Sequence, residues 1–268
     1  MTLDRRKLLI GGGLAAGAAA SREPAQAQSQ IDWRREADVV VIGAGASGMS
    51  CAIRARELGA SVIVVEAEPH VGGHAMVSGG NVALGGGTAA QKKHGIADSP
   101  DLLFRDLTYW SVVQPNGFPD YRYNDREIIR AFADHSAETY DFLVRHGVVF
   151  VDKAPDSQGG ISVGNSAPRV NHAALMDWPR IQTGAQIDPG QRTVFSSGNG
   201  LMRPLEATAQ RIGVEILLEH RMVALHRDGE RGRVTGVFVE ANGVRSAIRA
   251  RKGVFVGTGG SAGNVNFR

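Results

Sequence analysis

The chain has 268 residues, enough for one large domain or two small ones, and 43% of them are hydrophobic, compatible with an ordinary globular core. The formal net charge is only +3, and residues 1–27, with four Lys/Arg against two Asp/Glu, carry most of it. No basic stripe remains to mark a nucleic-acid partner. Cys51 is the only cysteine, so an internal disulfide, a Cys-based metal site and a c-type haem attachment are excluded. It reads as a small buried residue of the first helix. Glycine is abundant at 35 residues, clustered at 71–73, 79–80, 85–87 and 257–260, the pattern expected where backbone lies against a ligand.

Residues 1–27 read as an export signal. Arg5-Arg6-Lys7 form a positive n-region, Leu8–Ala20 an apolar h-region, and Ala25-Gln26-Ala27 an A-x-A cleavage site. The h-region has 13 residues, short of the roughly 20 that a membrane-spanning helix needs. Asp4-Arg5-Arg6-Lys7-Leu8-Leu9 resembles the twin-arginine export motif, which implies transport of a folded protein to the periplasm. Residues 28–36 read as a polar linker.

Residues 37–66 organise the rest. Val39–Ile42 suit a buried parallel strand. Gly43-Ala44-Gly45-Ala46-Ser47-Gly48 is a G-x-G-x-x-G, followed by a helix with Met49, Ala52, Ile53 and Leu58 on one side and a stop at Gly59. Ser61–Val65 is a second strand with Glu66 at its end. Strand, glycine turn, helix and strand within about 30 residues form a dinucleotide-binding fingerprint. The first glycine permits the tight turn, the second lets backbone approach a pyrophosphate, and the third lets helix and strand pack closely. Ala46 and Ser47 open the helix, whose free N–H groups favour a diphosphate. Glu66 suits the hydroxyls of an adenosine ribose and repels a 2′-phosphate, so FAD or NAD is expected rather than NADP. Ala67 follows it in the same contact.

Pro69–Gly80 carries Gly72-Gly73, then Ser78-Gly79-Gly80. Small residues there let the chain pass close to a flat isoalloxazine, and free N–H groups can reach its edge. With the fingerprint, this stretch resembles the FAD-binding domain of the fumarate reductase/succinate dehydrogenase flavoprotein superfamily, which includes flavocytochrome c and 3-ketosteroid dehydrogenases. The resemblance implies an α/β, Rossmann-like fold of the glutathione-reductase type with a β-meander. It implies a flavin resting on Gly73, His74, Ser78, Gly79 and Gly80. The spacing of His74 from Gly79-Gly80 differs from that of succinate dehydrogenases that attach FAD to a histidine, so a non-covalent flavin is expected.

Further along, Ser99-Pro100-Asp101 marks the start of a helix running to Trp110. Asn124 to Glu127 looks like a capping box with Asn124 as the cap, and Ile128, Ile129, Phe132, Tyr140, Leu143 and Val144 form the core side of the helix after it. Val148–Val151 reads as a short strand. Residues 152–199 show no periodicity, and Arg169, His172, Asp177 and Arg192 within them are substrate candidates or solvated loop residues. A helix is expected over Gly200–Gly213 and strands over Val214–Leu218, Met222–Leu225, Val234–Glu240 and Val244–Ile248, with a hairpin turn at Asn242-Gly243. The resemblance implies that a backbone amide near Met222 meets the adenine. Gly253–Gly260 resembles the family's second dinucleotide motif, with Thr258, Gly259 and Gly260 in place, Gly257 where alanine is usual, and Asn264 continuing the match.

Family members continue past this motif with a capping domain that supplies most substrate-clamping residues. The chain therefore reads as an FAD-binding domain over 37–268, truncated before that domain, and no catalytic residue is assigned. The resemblance implies an FAD-dependent oxidoreductase that moves a hydride to or from an activated C–C or C=C bond of a small-molecule substrate, with a separate electron-transfer partner. A non-catalytic dinucleotide-binding remnant and an NAD-dependent dehydrogenase are the alternatives.

Overall fold

The structure is a computed structural model that describes residues 31–110, 125–157, 166–176 and 197–260. The chain divides into two units, Met1–Ile31 and Asp32–Arg268, and the second is described here. The export signal, Asn124, Asp177, Arg192 and Asn264 lie outside the described residues.

β1 (Trp33–Ile42), α1 (Ala46–Glu57) and β2 (Val62–Val65) form the expected crossover. β2 runs parallel to β1, with Val39 opposite Val62 and Ile42 opposite Val65. Successive side chains of a strand point to opposite faces, so a continuous apolar run fills two cores. Val41, Val62 and Val64 enter the core shared with α1, whereas Val40, Ile42, Ile63 and Val65 enter the core on the other face. Leu58 is exposed, because α1 ends at Glu57 and the buried stripe is Met49, Ala52 and Ile53.

α2 (Gly73–Met76), β3 (Asn81–Ala83) and α3 (Ala89–Lys93) come next. α4 (Pro100–Trp110) starts where expected, with Ser99 Oγ accepting from the Leu102 N–H at 3.1 Å. α5 (Arg126–Arg145) is capped by Asp125, not Asn124; its carboxylate accepts from the N–H groups of Glu127 and Ile128. The buried face of α5 also differs from the expected one. It comprises Ala133, Ser136, Tyr140 and Leu143, a stripe that reaches back to half-buried Ile129, so Ile128 is 67% exposed and Phe132 is largely exposed.

β4 (Val170–His172) pairs antiparallel with β3 inside the stretch read as irregular. Val148–Val151 is not a strand: it contributes a single bridge, Phe150 to Ala173, with the Val151 N–H donating to His172 O and the Ala174 N–H to Val149 O. α6 (Gly198–Arg211) begins two residues before the expected start, with Ser197 as N-cap. β5 (Glu215–Leu217), β6 (Arg221–Arg227), β7 (Val234–Ala241) and β8 (Val244–Val256) complete a six-stranded sheet in the order β5-β2-β1-β8-β7-β6. β5, β2, β1 and β8 are parallel, and β8, β7 and β6 form the antiparallel meander. Asn242 and Gly243 turn the hairpin with φ of 51° and 74°, as a type I′ turn requires.

Two expected segments, Val244–Ile248 and the run after Gly253, are one strand. β8 pairs with β1 from Ala247 to Val256 while its first half also pairs with β7. The same pairing draws Trp33–Glu36 out of the expected linker into β1. Trp33 covers Gly236, where a Cβ would lie 2.4 Å from its ring. Ile42, Val65, Leu217 and Val256 end the four parallel strands in register. Ligands of open α/β sheets bind at that edge.

A buried ionic cluster fixes the turn between β3 and α3. Arg169 donates to Asp98 through Nε and Nη2, both at 2.8 Å, and to Asp106 through Nη1 at 2.7 Å. Burial pushes both carboxyls upward, yet the hydrogen bonds and charge of Arg169, with Gln91 and Gly86 on Asp98 and Ser166 on Asp106, hold them below the usual carboxylate range. Depressed folded-state values mean that the cluster stabilises fully above about pH 4 and loses that stabilisation as pH falls through them. Replacing Arg169 with Ala leaves two buried carboxylates unpaired, and urea denaturation at pH 7 should record a loss of about 3–5 kcal/mol that shrinks toward pH 3.

Candidate functional site

The site is built where α1 meets the carboxyl ends of β1 and β8. Gly43 turns the chain with φ +94°, and a Cβ there would lie 2.5 Å from the Gly257 carbonyl oxygen. Gly48 packs against the turn itself, with a would-be Cβ 1.9 Å from Gly43 O. Gly257 closes the contact: its would-be Cβ meets the Gly48 backbone at 3.3 Å and the Phe255 ring at 3.0 Å. This tight fit is a physical reason for glycine where the motif usually has alanine. Backbone bonds from Gly43 N–H to Val65 O and from Gly257 N–H to Ile42 O, each 2.8 Å, lock the three strands to the turn.

Gly45 behaves differently. As N-cap of α1 it has φ −76°, a conformation open to any residue, and no atom lies within 4 Å of its would-be Cβ. The helix that starts there has no acidic residue in its first turn and no capping side chain. Its N–H groups and partial positive charge at Ala46, Ser47 and Gly48 therefore face an open cradle suited to an anion. Gly73 borders the same space, its would-be Cβ 3.9 Å from Gly45 Cα, and Gly72, with φ +129°, donates from its N–H to Ala44 O at 2.9 Å.

Glu66 is buried at the end of β2. Its Oε2 accepts from the Ala44 N–H at 2.7 Å and its Oε1 from the Glu68 N–H at 2.9 Å. A carboxylate offers about four acceptor positions, so two remain for a pair of hydroxyls. Half-buried Ala67 follows it. The backbone of Glu66 receives the His220 N–H at 2.8 Å, and Met222 lies two residues further on, in β6. Thr258, Gly259 and Gly260 follow Gly257 as exposed backbone, with Gly259 at φ +86°.

His74 is exposed on α2, which carries the chain from the cradle to Ser78-Gly79-Gly80. The glycines there divide the work. Gly80 is buried, and its would-be Cβ lies 2.5 Å from Ser197 C, so glycine is required for packing. Gly79 is exposed, with only Asn81 Oδ1 at 4.0 Å, and is open to a flat ring. Gly198 approaches from α6, donating from its N–H to Ser78 O at 2.9 Å, and its would-be Cβ would be 1.8 Å from Ala75 O. Gly198 went unrecognised in the sequence, where the Gly198-Asn199-Gly200 run was its signal.

Two expectations are corrected, those for Arg169 and for glycines 85–87. Arg169 is neither a substrate contact nor a solvated residue, since two aspartates engage its guanidinium. His172 lies on β4 with Nε2 2.6 Å from Asp156 Oδ2, and it pairs across to Asn81, the residue after Gly80. Glycines 85–87 do not bare their backbone to a ligand. Their N–H groups donate in turn to Ser136 Oγ, Asp98 Oδ2 and Gln91 Oε1.

A parallel sheet with a glycine turn, an uncapped helix N-terminus and a carboxylate at the next strand end defines a dinucleotide-binding α/β protein. Residues 38–266 match the FAD binding domain family, and the chain belongs to that family. It is 28% identical to the acrylate reductase flavoprotein subunit of Shewanella woodyi, covering 99% of this chain and 48% of that protein. It is 27% identical to a 3-oxosteroid 1-dehydrogenase of Mycolicibacterium smegmatis over 87% of this chain and 48% of that one. Among solved structures, 3-ketosteroid-Δ4-(5α)-dehydrogenase from Rhodococcus jostii superposes with a TM-score of 0.67 at 31% identity, over 86% of this chain and 47% of that chain. The chain spans about half the length of the curated relatives it matches. Among the described residues no helix is long and apolar enough to cross a membrane.

Gly45 and Gly48 separate binding from packing. Gly45→Val places its Cβ in open space, so the purified variant should lose its FAD, read from absorbance near 450 nm, and melt close to the flavin-free parent rather than to the flavin-loaded one. Gly48→Ala drives a Cβ into Gly43 O and should lower stability by about 1–3 kcal/mol in denaturant titration.

Proposed function

We propose that the protein is an exported FAD-dependent oxidoreductase. It exchanges a hydride between non-covalently held flavin and an activated C–C or C=C bond beside a carbonyl or carboxylate of a small substrate. The observation that carries this reading is the open cradle at Gly45, formed in a chain of the FAD binding domain family. Relatives named for acrylate, fumarate and 3-oxosteroids support the substrate class, because each pairs such a bond with an electron-withdrawing group.

The fit to FAD rests on the residues present. The N–H groups of Ala46, Ser47 and Gly48 would hold the pyrophosphate, the free acceptor positions of Glu66 the ribose hydroxyls, and backbone near Met222 the adenine. Gly79, with Ser78 beside it in sequence, would let the isoalloxazine lie on bare backbone, with Gly73 at the start of α2 nearer the pyrophosphate, and Thr258–Gly260 would border it. Bound flavin supplies the two-electron chemistry, and the protein orients it and excludes competing reactions. His74 is read as a flavin contact without a covalent bond. A separate carrier is proposed to exchange electrons with the flavin.

The purified protein should be yellow, and denaturation should release the pigment. A fluorescent protein band on a denaturing gel would overturn the non-covalent reading, and a colourless protein that takes up no added FAD would overturn the flavin reading. For export, Arg5→Lys combined with Arg6→Lys should leave the protein in the cytoplasm, measured by fractionation, whereas normal export of that variant would remove the twin-arginine route.

A further inference from the structure

The open backbone at Gly79 has a titratable neighbour that flavin binding does not use. A Cβ on Gly79 would lie 4.0 Å from Asn81 Oδ1, so the open space at Gly79 and the Asn81 side chain share one side of the chain. Gly80 differs, since its would-be Cβ turns onto the Ser197 backbone. Asn81 begins β3, and His172 stands directly opposite it in β4. Side chains of directly opposite residues rise from the same face of an antiparallel pair, with Cβ atoms about 5 Å apart. The His172 ring therefore stands on the face that carries the open space at Gly79. The Ala173 N–H donates to Gly80 O at 2.9 Å and ties β4 to the same passage.

The ring is also oriented. Nε2 lies 2.6 Å from Asp156 Oδ2, and Lys153 Nζ donates to the same oxygen at 2.8 Å. The Lys153 hydrogen bond holds the Asp156 carboxyl below the usual carboxylate range, so it stays ionised. An ionised carboxylate only accepts, so Nε2 carries a proton and Nδ1 is the nitrogen that gains and loses one. Among the described residues Nδ1 has no partner. The side chain is 14% exposed and borders a cleft of about 430 Å3, which leaves a small molecule room beside it. Besides Lys153, the charged or titratable groups of that cleft are Lys93, His94, Asp152 and Tyr140, and Lys93 pairs with Asp152.

The geometry points to His172 as the residue that exchanges the proton in the hydride transfer proposed above, with Asp156 and Lys153 as its positioning residues. This role rests on that flavin reading. A hydride from reduced flavin adds to the far carbon of the activated C=C bond, and the electron pair of that bond moves to the carbon beside the carbonyl or carboxylate. That carbon takes the Nδ1 proton of the imidazolium, and the ring, left neutral, regains a proton from solvent. In the oxidative direction neutral Nδ1 removes the same proton as the hydride passes to oxidised flavin. Asp156 keeps the tautomer fixed and stabilises the imidazolium in both directions.

Two measurements on the full chain test it. Nuclear magnetic resonance of isotope-labelled histidine rings, assigned with His172→Gln, should show a neutral His172 protonated at Nε2, with signals that move when FAD is added to the flavin-free protein. Rapid mixing then follows acrylate, fumarate, cyclohexenone and androstenedione on photoreduced flavin, and their saturated counterparts on oxidised flavin. His172→Gln should keep its FAD and photoreduce like the parent, yet react with the organic compound about a hundredfold more slowly or worse. Asp156→Asn should slow the same step at least about tenfold. The ring's pH dependence, a fall on the alkaline side for reduction and on the acid side for oxidation, should vanish in His172→Gln. A parent that binds no FAD, or whose flavin reacts with none of these compounds, overturns the proposed function and this role with it. A reactive parent whose His172 signals ignore FAD, or a His172→Gln variant that reacts like the parent, overturns this role alone.

Discussion

Three backbone segments touch where no side chain fits, and the rest of the site depends on that contact. Gly43, Gly48 and Gly257 bring the turn after β1, the first turn of α1 and the end of β8 within van der Waals distance. A methyl group at Gly48 would push α1 away from the sheet, and with it the N–H groups that define the cradle. Sheet register adds the second requirement. Ile42, Val65, Leu217 and Val256 end level, so the turn, Glu66 and the Gly257–Gly260 segment open onto one edge.

Glycines of one sequence pattern thus perform two opposite tasks. Gly43, Gly48, Gly80 and Gly198 are occupied by the protein's own backbone, and a side chain at any of them meets an atom closer than 3 Å. Gly45 and Gly79 have open space where their side chains would be. The first group builds the walls and the second leaves room between them. A glycine cluster in a sequence does not tell these tasks apart. The run at 85–87 shows the consequence: it reads as ligand-facing backbone, yet Ser136, Asp98 and Gln91 accept its three N–H groups.

What was legible in the sequence was local. The core of β1, α1 and β2 was read because strand, turn and helix signals lie within 30 residues and each repeats its own period, though the first residues of β1 and the exposure of Leu58 were not. The cap of α4 lies equally close to the helix it starts, whereas five-residue α3, capped by Thr88, was not read because it is too short to show a period. What escaped depends on partners far along the chain. Trp33 joins β1 because Gly236, some two hundred residues later, leaves space for its ring. β8 reads as two strands until β1 and β7 are both known to pair with it. The buried face of α5 is set by what Tyr140 and Leu143 pack against, and counting apolar residues from Ile128 cannot reveal it.

Arg169 shows why charge is the hardest feature to place from sequence. In a Gly- and Ser-rich stretch it has the composition of a solvated or substrate-binding residue. Its partners, Asp98 and Asp106, precede it by 71 and 63 residues and bring it into the interior. An unpaired buried guanidinium is prohibitively costly, whereas one with three charge-assisted bonds is tolerated and fixes geometry. Asp98 also accepts from Gly86 N–H and from Gln91 Nε2, and Gln91 in turn accepts from Gly87 and Thr88. The cluster therefore determines the path of the chain between β3 and α3. Because β3 leads directly out of the Ser78–Gly80 passage, the same network anchors the chain as it leaves the region assigned to the flavin.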